Sequence, residues 1–101
     1  MSIIKLKTIN EFIKEGKEKG ILIVDVREVN EYEEAHIEGV VNVPLSEFEK
    51  IEKVAIDKNA PLYLHCRSGK RSGDAAERAI KLGYKDVTNI GGILDWNGKT
   101  I

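Results

Sequence analysis

Leu62-Tyr63-Leu64-His65-Cys66-Arg67-Ser68-Gly69-Lys70-Arg71-Ser72-Gly73 is the stretch on which the reading of this chain turns. An apolar run, Leu62 to Leu64, delivers the only cysteine to a short loop that holds two of the chain's four arginines and a lysine. Small residues follow at helical spacing, with Ala75, Ala76, Ala79 and Ile80 on one face. A strand that ends in a cysteine and passes through a cationic loop into a helix favours a thiolate and an anion held beside it. A cysteine that merely fills a core needs no such loop.

Upstream, Ile21-Leu22-Ile23-Val24 is a continuous β-branched run rather than an alternating one. That pattern predicts a strand buried on both faces, as in a parallel sheet between helices. Asp25-Val26-Arg27 then stands at the strand's carboxyl end, the edge where ligands bind in open α/β sheets. For Asp25 and Arg27 we expect an ion pair that supports the site by joining its loops, in preference to direct catalysis.

The remaining elements follow in order. Ile3–Leu6 reads as a first strand, and Thr8-Ile9-Asn10-Glu11 as a capping box opening a helix that closes near Gly16 or Gly20. Glu28–Ala35 suits a short, acidic, solvated helix. Val40–Val43 is a third short strand stopped by Pro44. Ser46-Glu47-Phe48-Glu49 reads as a second capping box, with Phe48 and Ile51 facing inward. After the turn at Asp57–Pro61 and the Leu62–His65 strand, the helix behind the loop begins near Ser72 and closes at Leu82-Gly83. Asp86–Ile90 is a fifth strand, followed by Gly91-Gly92 and Trp96. Strands alternating with helices predict a three-layer α/β fold, a five-stranded, mainly parallel sheet with helices on both faces, in one domain over residues 1–101.

Composition narrows the partners. Charged residues make up 33% of the 101, yet the formal net charge is -1. That balance gives no basic excess for nucleic acid or a membrane surface, and positive charge is local to the Cys66 loop. A lone cysteine excludes a disulfide within the chain, and no Cys/His cluster has metal-site spacing, so we expect neither metal nor cofactor. His36, with one other histidine in the chain, reads as a hydrogen-bonded structural residue. The N-terminal residues have no apolar signal core and no run is long enough to cross a bilayer, which makes the cytoplasm the expected location.

Cys66 to Arg71 spans six residues. Curled around a centre, their backbone N–H groups form an anion-binding nest, with Gly69 supplying a position free of Cβ. The following helix adds its positive end, and Arg67, Lys70 and Arg71 add full charges. All favour thiolate over thiol, so the Cys66 pKa is expected to be depressed. Such a thiolate can attack phosphorus, arsenic or a sulfane sulfur. No second cysteine stands at redox-pair spacing, and His65 should point to the opposite sheet face from Cys66, which argues against disulfide exchange and against a His–Cys base pair. With so few loop side chains, the site is expected to be shallow and exposed.

These residues resemble the single-domain rhodanese-like sulfurtransferases. The resemblance rests on Asp25-Val26-Arg27, on Ala35-His36-Ile37-Glu38-Gly39 followed by Asn42-Val43-Pro44, on Cys66-Arg67-Ser68-Gly69-Lys70-Arg71-Ser72, and on Gly91-Gly92 followed by Trp96. Ala35 departs from the glycine usual in that family. The resemblance implies that Cys66 accepts a sulfane sulfur from thiosulfate or a persulfide donor and passes it to cyanide, a thiol or a dithiol protein. It further implies that backbone N–H groups from Arg67 through Ser68, Gly69, Lys70 and Arg71 to Ser72 bind the sulfur, that Arg67 and Arg71 hold a sulfonate, and that Lys70 adds charge at the rim. Related phosphatases and arsenate reductases resemble a longer loop, with arginine six positions after the cysteine. Here that position is Ser72, and Arg71 lies five after. The smaller loop favours sulfur chemistry over phosphoryl or arsenate chemistry. A persulfide relay or binding module for a partner protein is the alternative.

Overall fold

The β-branched run does enter the middle of a sheet. In the computed structural model, which describes residues 7–101, four strands pair: β1 (Leu22–Asp25), β2 (Val41–Asn42), β3 (Leu62–Cys66) and β4 (Val87–Gly92). Their order is β2-β1-β3-β4 and every pairing is parallel. Four strands are thus present among the described residues; the expected first strand, Ile3–Leu6, lies outside them.

Strand alternation builds two cores. On one face Val24, Leu62, Leu64 and Cys66 pack with Phe48, Ile51, Ala75 and Ala79. On the other, Ile23, Tyr63 and Ile90 pack with Ile9 and Ile13 of α1 (Ile9–Lys19), and Trp96 lies against that cluster. Helices therefore cover both faces, and β3, buried at every residue, is the shared spine.

Local chemistry explains most boundaries. Thr8 Oγ1 accepts from the Glu11 N–H at 3.4 Å, and α1 ends on Gly20 at φ +69°. α2 (Val29–Glu34) buries none of its residues, as its acidic composition foretells. Ala35 sits at φ -166°, extended backbone open to any residue, so the departure from glycine carries no strain. His36 is structural: its Nδ1 lies 2.8 Å from the Tyr32 carbonyl oxygen and its ring stacks on Tyr32 at 3.8 Å.

Three expectations need correcting. Ser46 does not cap a helix, because its hydroxyl donates to the Glu28 carboxylate at 2.6 Å. Leu45–Lys50 forms a 3-10 segment instead, broken at Glu47, before the short α3 (Ile51–Val54), although Phe48 and Ile51 are buried as expected. The helix behind the loop, α4 (Lys70–Lys81), begins two residues earlier than Ser72, with Gly69 at its N-cap. Ile80 is 60% exposed and leaves the inner face to Ala75 and Ala79.

Candidate active site

Cys66 is the last residue of β3, and its side chain turns toward α4 with Leu62 and Leu64. The chain then reverses over Arg67 and Ser68, and Gly69 at φ +101° swings it into α4. A side chain would strain that left-handed turn. Behind the loop Gly92 permits an approach no other residue allows: a Cβ there would overlap the Arg67 carbonyl and the Ser68 Cα. The Leu94 N–H donates to the same Arg67 carbonyl at 3.1 Å, which fixes the loop's base to the chain after β4.

The sulfur lies inside this turn. The Gly69 N–H donates to Cys66 Sγ at 2.9 Å, and Ser72 Oγ stands 3.4 Å from it. Cys66 itself is 0% exposed, so the centre is recessed, not shallow. Burial pushes the thiol pKa up, but the Ser72 hydroxyl and the N–H groups of Ser72, Gly69 and Ser68 outweigh it, and the net shift is downward. The principal depressing forces are thus hydrogen bonds from the loop and the first turn of α4, more than the loop's cationic side chains.

His65 takes no part in activating the sulfur. Its ring lies on the opposite sheet face, with Nδ1 3.1 Å from the Cys66 carbonyl and Nε2 3.8 Å from Asp25 Oδ2 without a hydrogen bond. Burial lowers its pKa, which keeps the ring neutral near pH 7.

Two of the three arginines at the sheet's carboxyl edge have carboxylate partners. Arg27 grips Asp25 through Nε at 2.9 Å and Nη2 at 2.8 Å, while a third contact reaches the Ala35 carbonyl at 2.7 Å. Asn42 Nδ2 donates to the backbone carbonyls of both Asp25 and Arg27 at 2.9 Å and so ties β2 to the end of β1, while the Arg27 guanidinium ties β1 to the residue after α2. Arg71 donates from Nη1 and Nη2 to the two oxygens of Glu31, at 2.6 and 2.9 Å, linking α4 to α2. That contact holds the Glu31 carboxyl down at about 2. Arg67 and Lys70 are exposed and enter no ion pair among the described residues.

Two residues escaped the sequence reading. Asn89 bridges the loop to β4: its Nδ2 donates to the Gly69 carbonyl at 2.9 Å, and its Oδ1 accepts from the Gly91 N–H at 3.1 Å. The same Oδ1, 2.7 Å from Ser72 Oγ, is the alternative to Cys66 Sγ as acceptor of the single Ser72 hydroxyl proton. Glu31 is the other; its place three residues after Glu28 marks a helix start, with Glu31 Oε1 accepting the Glu28 N–H at 3.2 Å, but gives no sign of Arg71. Beside these residues a cleft of about 330 Å³ is lined by Arg27, Glu31, Glu34, Ala35, Arg67, Ile93 and Leu94.

Comparison with known proteins bears on this geometry. Residues 8–99 match the family model described as a rhodanese-like domain. YrkF of Bacillus subtilis, provisionally named a sulfur carrier protein, is 46% identical over 88 residues, 86% of this chain but 47% of that protein; the chain spans about half the length of that relative. PspE of Escherichia coli, named a thiosulfate sulfurtransferase, is 38% identical over 73 residues, 71% of this chain and 70% of that one. A solved structure of rhodanese with anions from E. coli superposes with a TM-score of 0.73 at 34% identity, covering 79% of this chain and 95% of its own.

Proposed function

This chain belongs to the rhodanese-like family, and from that membership we propose that it moves a sulfane sulfur through a persulfide on Cys66. The observation that carries the reading is a buried sulfur that receives the Gly69 N–H at 2.9 Å, with a thiol pKa driven down and, among the described residues, no base hydrogen-bonded to it. A thiolate prepared in this way needs no proton transfer before it attacks.

With thiosulfate, Cys66 Sγ attacks the outer sulfur. A bond forms between the two sulfurs, the S–S bond of thiosulfate breaks, and its electron pair leaves with sulfite. With a persulfide donor the leaving group is a thiolate. The acceptor, cyanide or a thiol, then attacks the terminal sulfur of the Cys66 persulfide, and Cys66 leaves as thiolate again. No outside oxidant or reductant is required. In this account the N–H groups of Ser68, Gly69 and Ser72 hold first the thiolate and then the persulfide anion, as preorganised donors do for any anion that forms in place. Arg67 and Lys70 attract the anionic donor, Arg71 acts in company with Glu31, and Asp25 with Arg27 supports the loop edge from β1.

Service as a persulfide relay to a partner protein uses the same residues, and the likeness to YrkF supports it. Both versions meet the same test: the intact mass of the protein after incubation with thiosulfate, and separately with an alkyl persulfide. The expected result is a gain of one sulfur atom that is removed by cyanide and absent in Cys66→Ser. No gain from either donor would refute sulfur transfer.

A further inference from the structure

The charges around the cleft that Arg67 lines, next along the chain from Cys66, do not suit a dianion. Of its two arginines, Arg27 directs its guanidinium to Asp25 and the Ala35 carbonyl, which leaves Arg67 as the one without an ion-pair partner among the described residues. Glu31 and Glu34 line the same cleft, and Ile93 and Leu94 complete it. The loop's other arginine, Arg71, is held on Glu31 by two short hydrogen bonds. A charged guanidinium already facing a carboxylate attracts a second anion less than a free one does, because the two opposite charges act together on anything outside the pair.

Resting on the sulfurtransferase reading, we propose that Glu31 sets the donor preference of this site, engaging Arg71 so that donors with at most one negative charge, alkyl or protein-borne persulfides, are favoured over the dianion thiosulfate. The chemistry of the transfer is unchanged: the same Sγ–S bond forms, and a thiolate leaves where sulfite would. Only the charge that the loop must accommodate beside the Cys66 thiolate differs. A monoanionic donor brings one negative charge to the recess and thiosulfate brings two. The exposed Leu94, with Ile93 beside it, offers contact to the carbon skeleton that a persulfide carries and thiosulfate lacks.

Glu31→Gln separates charge from structure. Glutamine retains an acceptor for the Glu28 N–H that opens α2, and it removes the negative charge facing Arg71. The probes are thiosulfate and the persulfide of 2-mercaptoethanol, compared as kcat/KM with cyanide as common acceptor. The expected result is a gain of roughly tenfold for thiosulfate, the worth of one charge-assisted hydrogen bond, against less than about threefold for the persulfide. The gain should vanish when Arg71→Gln is added to Glu31→Gln, since it acts through the freed guanidinium. An equal change with both donors, a thiosulfate loss, or a gain that persists without Arg71 would overturn the proposal. Circular dichroism checks folding; should Glu31→Gln fail to fold, Glu31→Ala carries the same expected donor shift and the same overturning results. If the wild-type protein takes sulfur from neither donor, sulfur transfer itself fails. If it loads sulfur and the donor ratio ignores Glu31, only this inference falls.

Discussion

Arg27 and Arg71 each meet a carboxylate through two N–H groups at the same end of the sheet, and the two pairs do different work. The Arg27–Asp25 side chains are 8% and 0% exposed, and those of Arg71–Glu31 are 32% and 27% exposed. A buried pair contributes little over an apolar filling, but removing one partner strands a charge in the interior. A pair near water is worth little to the fold. Burial therefore decides which pair is architecture and which is free to adjust the site. Arg27–Asp25 joins the end of β1 to the Ala35 carbonyl just after α2; Arg71–Glu31 joins α4 to α2.

The sharpest way to break this contrast is Asp25→Ala. It leaves the Arg27 guanidinium buried without its partner, and we expect a loss of about 3–5 kcal/mol in urea unfolding. A loss below about 1 kcal/mol would mean that the pair is as dispensable as the exposed one. Next comes the base of the loop, which is held by backbone contact and not by charge. Gly92→Ala forces a methyl group against the Arg67 carbonyl, and should cost roughly 1–3 kcal/mol while slowing alkylation of Cys66. Normal stability with normal reactivity would show that the loop does not depend on that approach.

The exposed pair should give the smallest effects on the fold. Arg71→Ala is expected to cost about 1 kcal/mol or less in the same unfolding assay, and a loss several times larger would place this pair with the buried one. Its pH dependence has a definite sign. The Glu31 carboxyl is lowered to about 2 in the folded protein, so its stabilising contribution is present above the ordinary carboxylate range near pH 4.5 and disappears as pH falls toward 2. Unfolding followed from pH 5 to pH 2 should therefore lose a small increment in the wild type that Glu31→Gln lacks. Identical acid profiles would show that the Glu31 carboxyl is not lowered in the folded protein.

Much of this arrangement was legible in the chain because it is local. The β-branched Ile21–Val24 run, the cysteine at a strand end, Thr8 as a cap and the glycine at the turn into α4 all act within a few residues of themselves. What stayed hidden is non-local. Ser46 carries a full capping signature, yet its hydroxyl is drawn to Glu28, eighteen positions earlier in the chain. Asn89 meets Ser72 and Gly69 only once β4 lies beside β3, and Glu31 meets Arg71 across forty positions. The recess of Cys66 has the same origin, since Gly92 lets the loop settle onto β4 and close over the sulfur.

Activation of Cys66 by hydrogen bonds from its own loop is the claim on which sulfur transfer rests, and the pH dependence of its alkylation tests that claim most directly. The rate should follow an apparent pKa below the free-thiol value of roughly 8.5, and Ser72→Ala should move it upward, because the Ser72 hydroxyl is the leading force that lowers it. An apparent pKa at or above that value in the wild-type protein, or one that Ser72→Ala leaves unmoved, would contradict it.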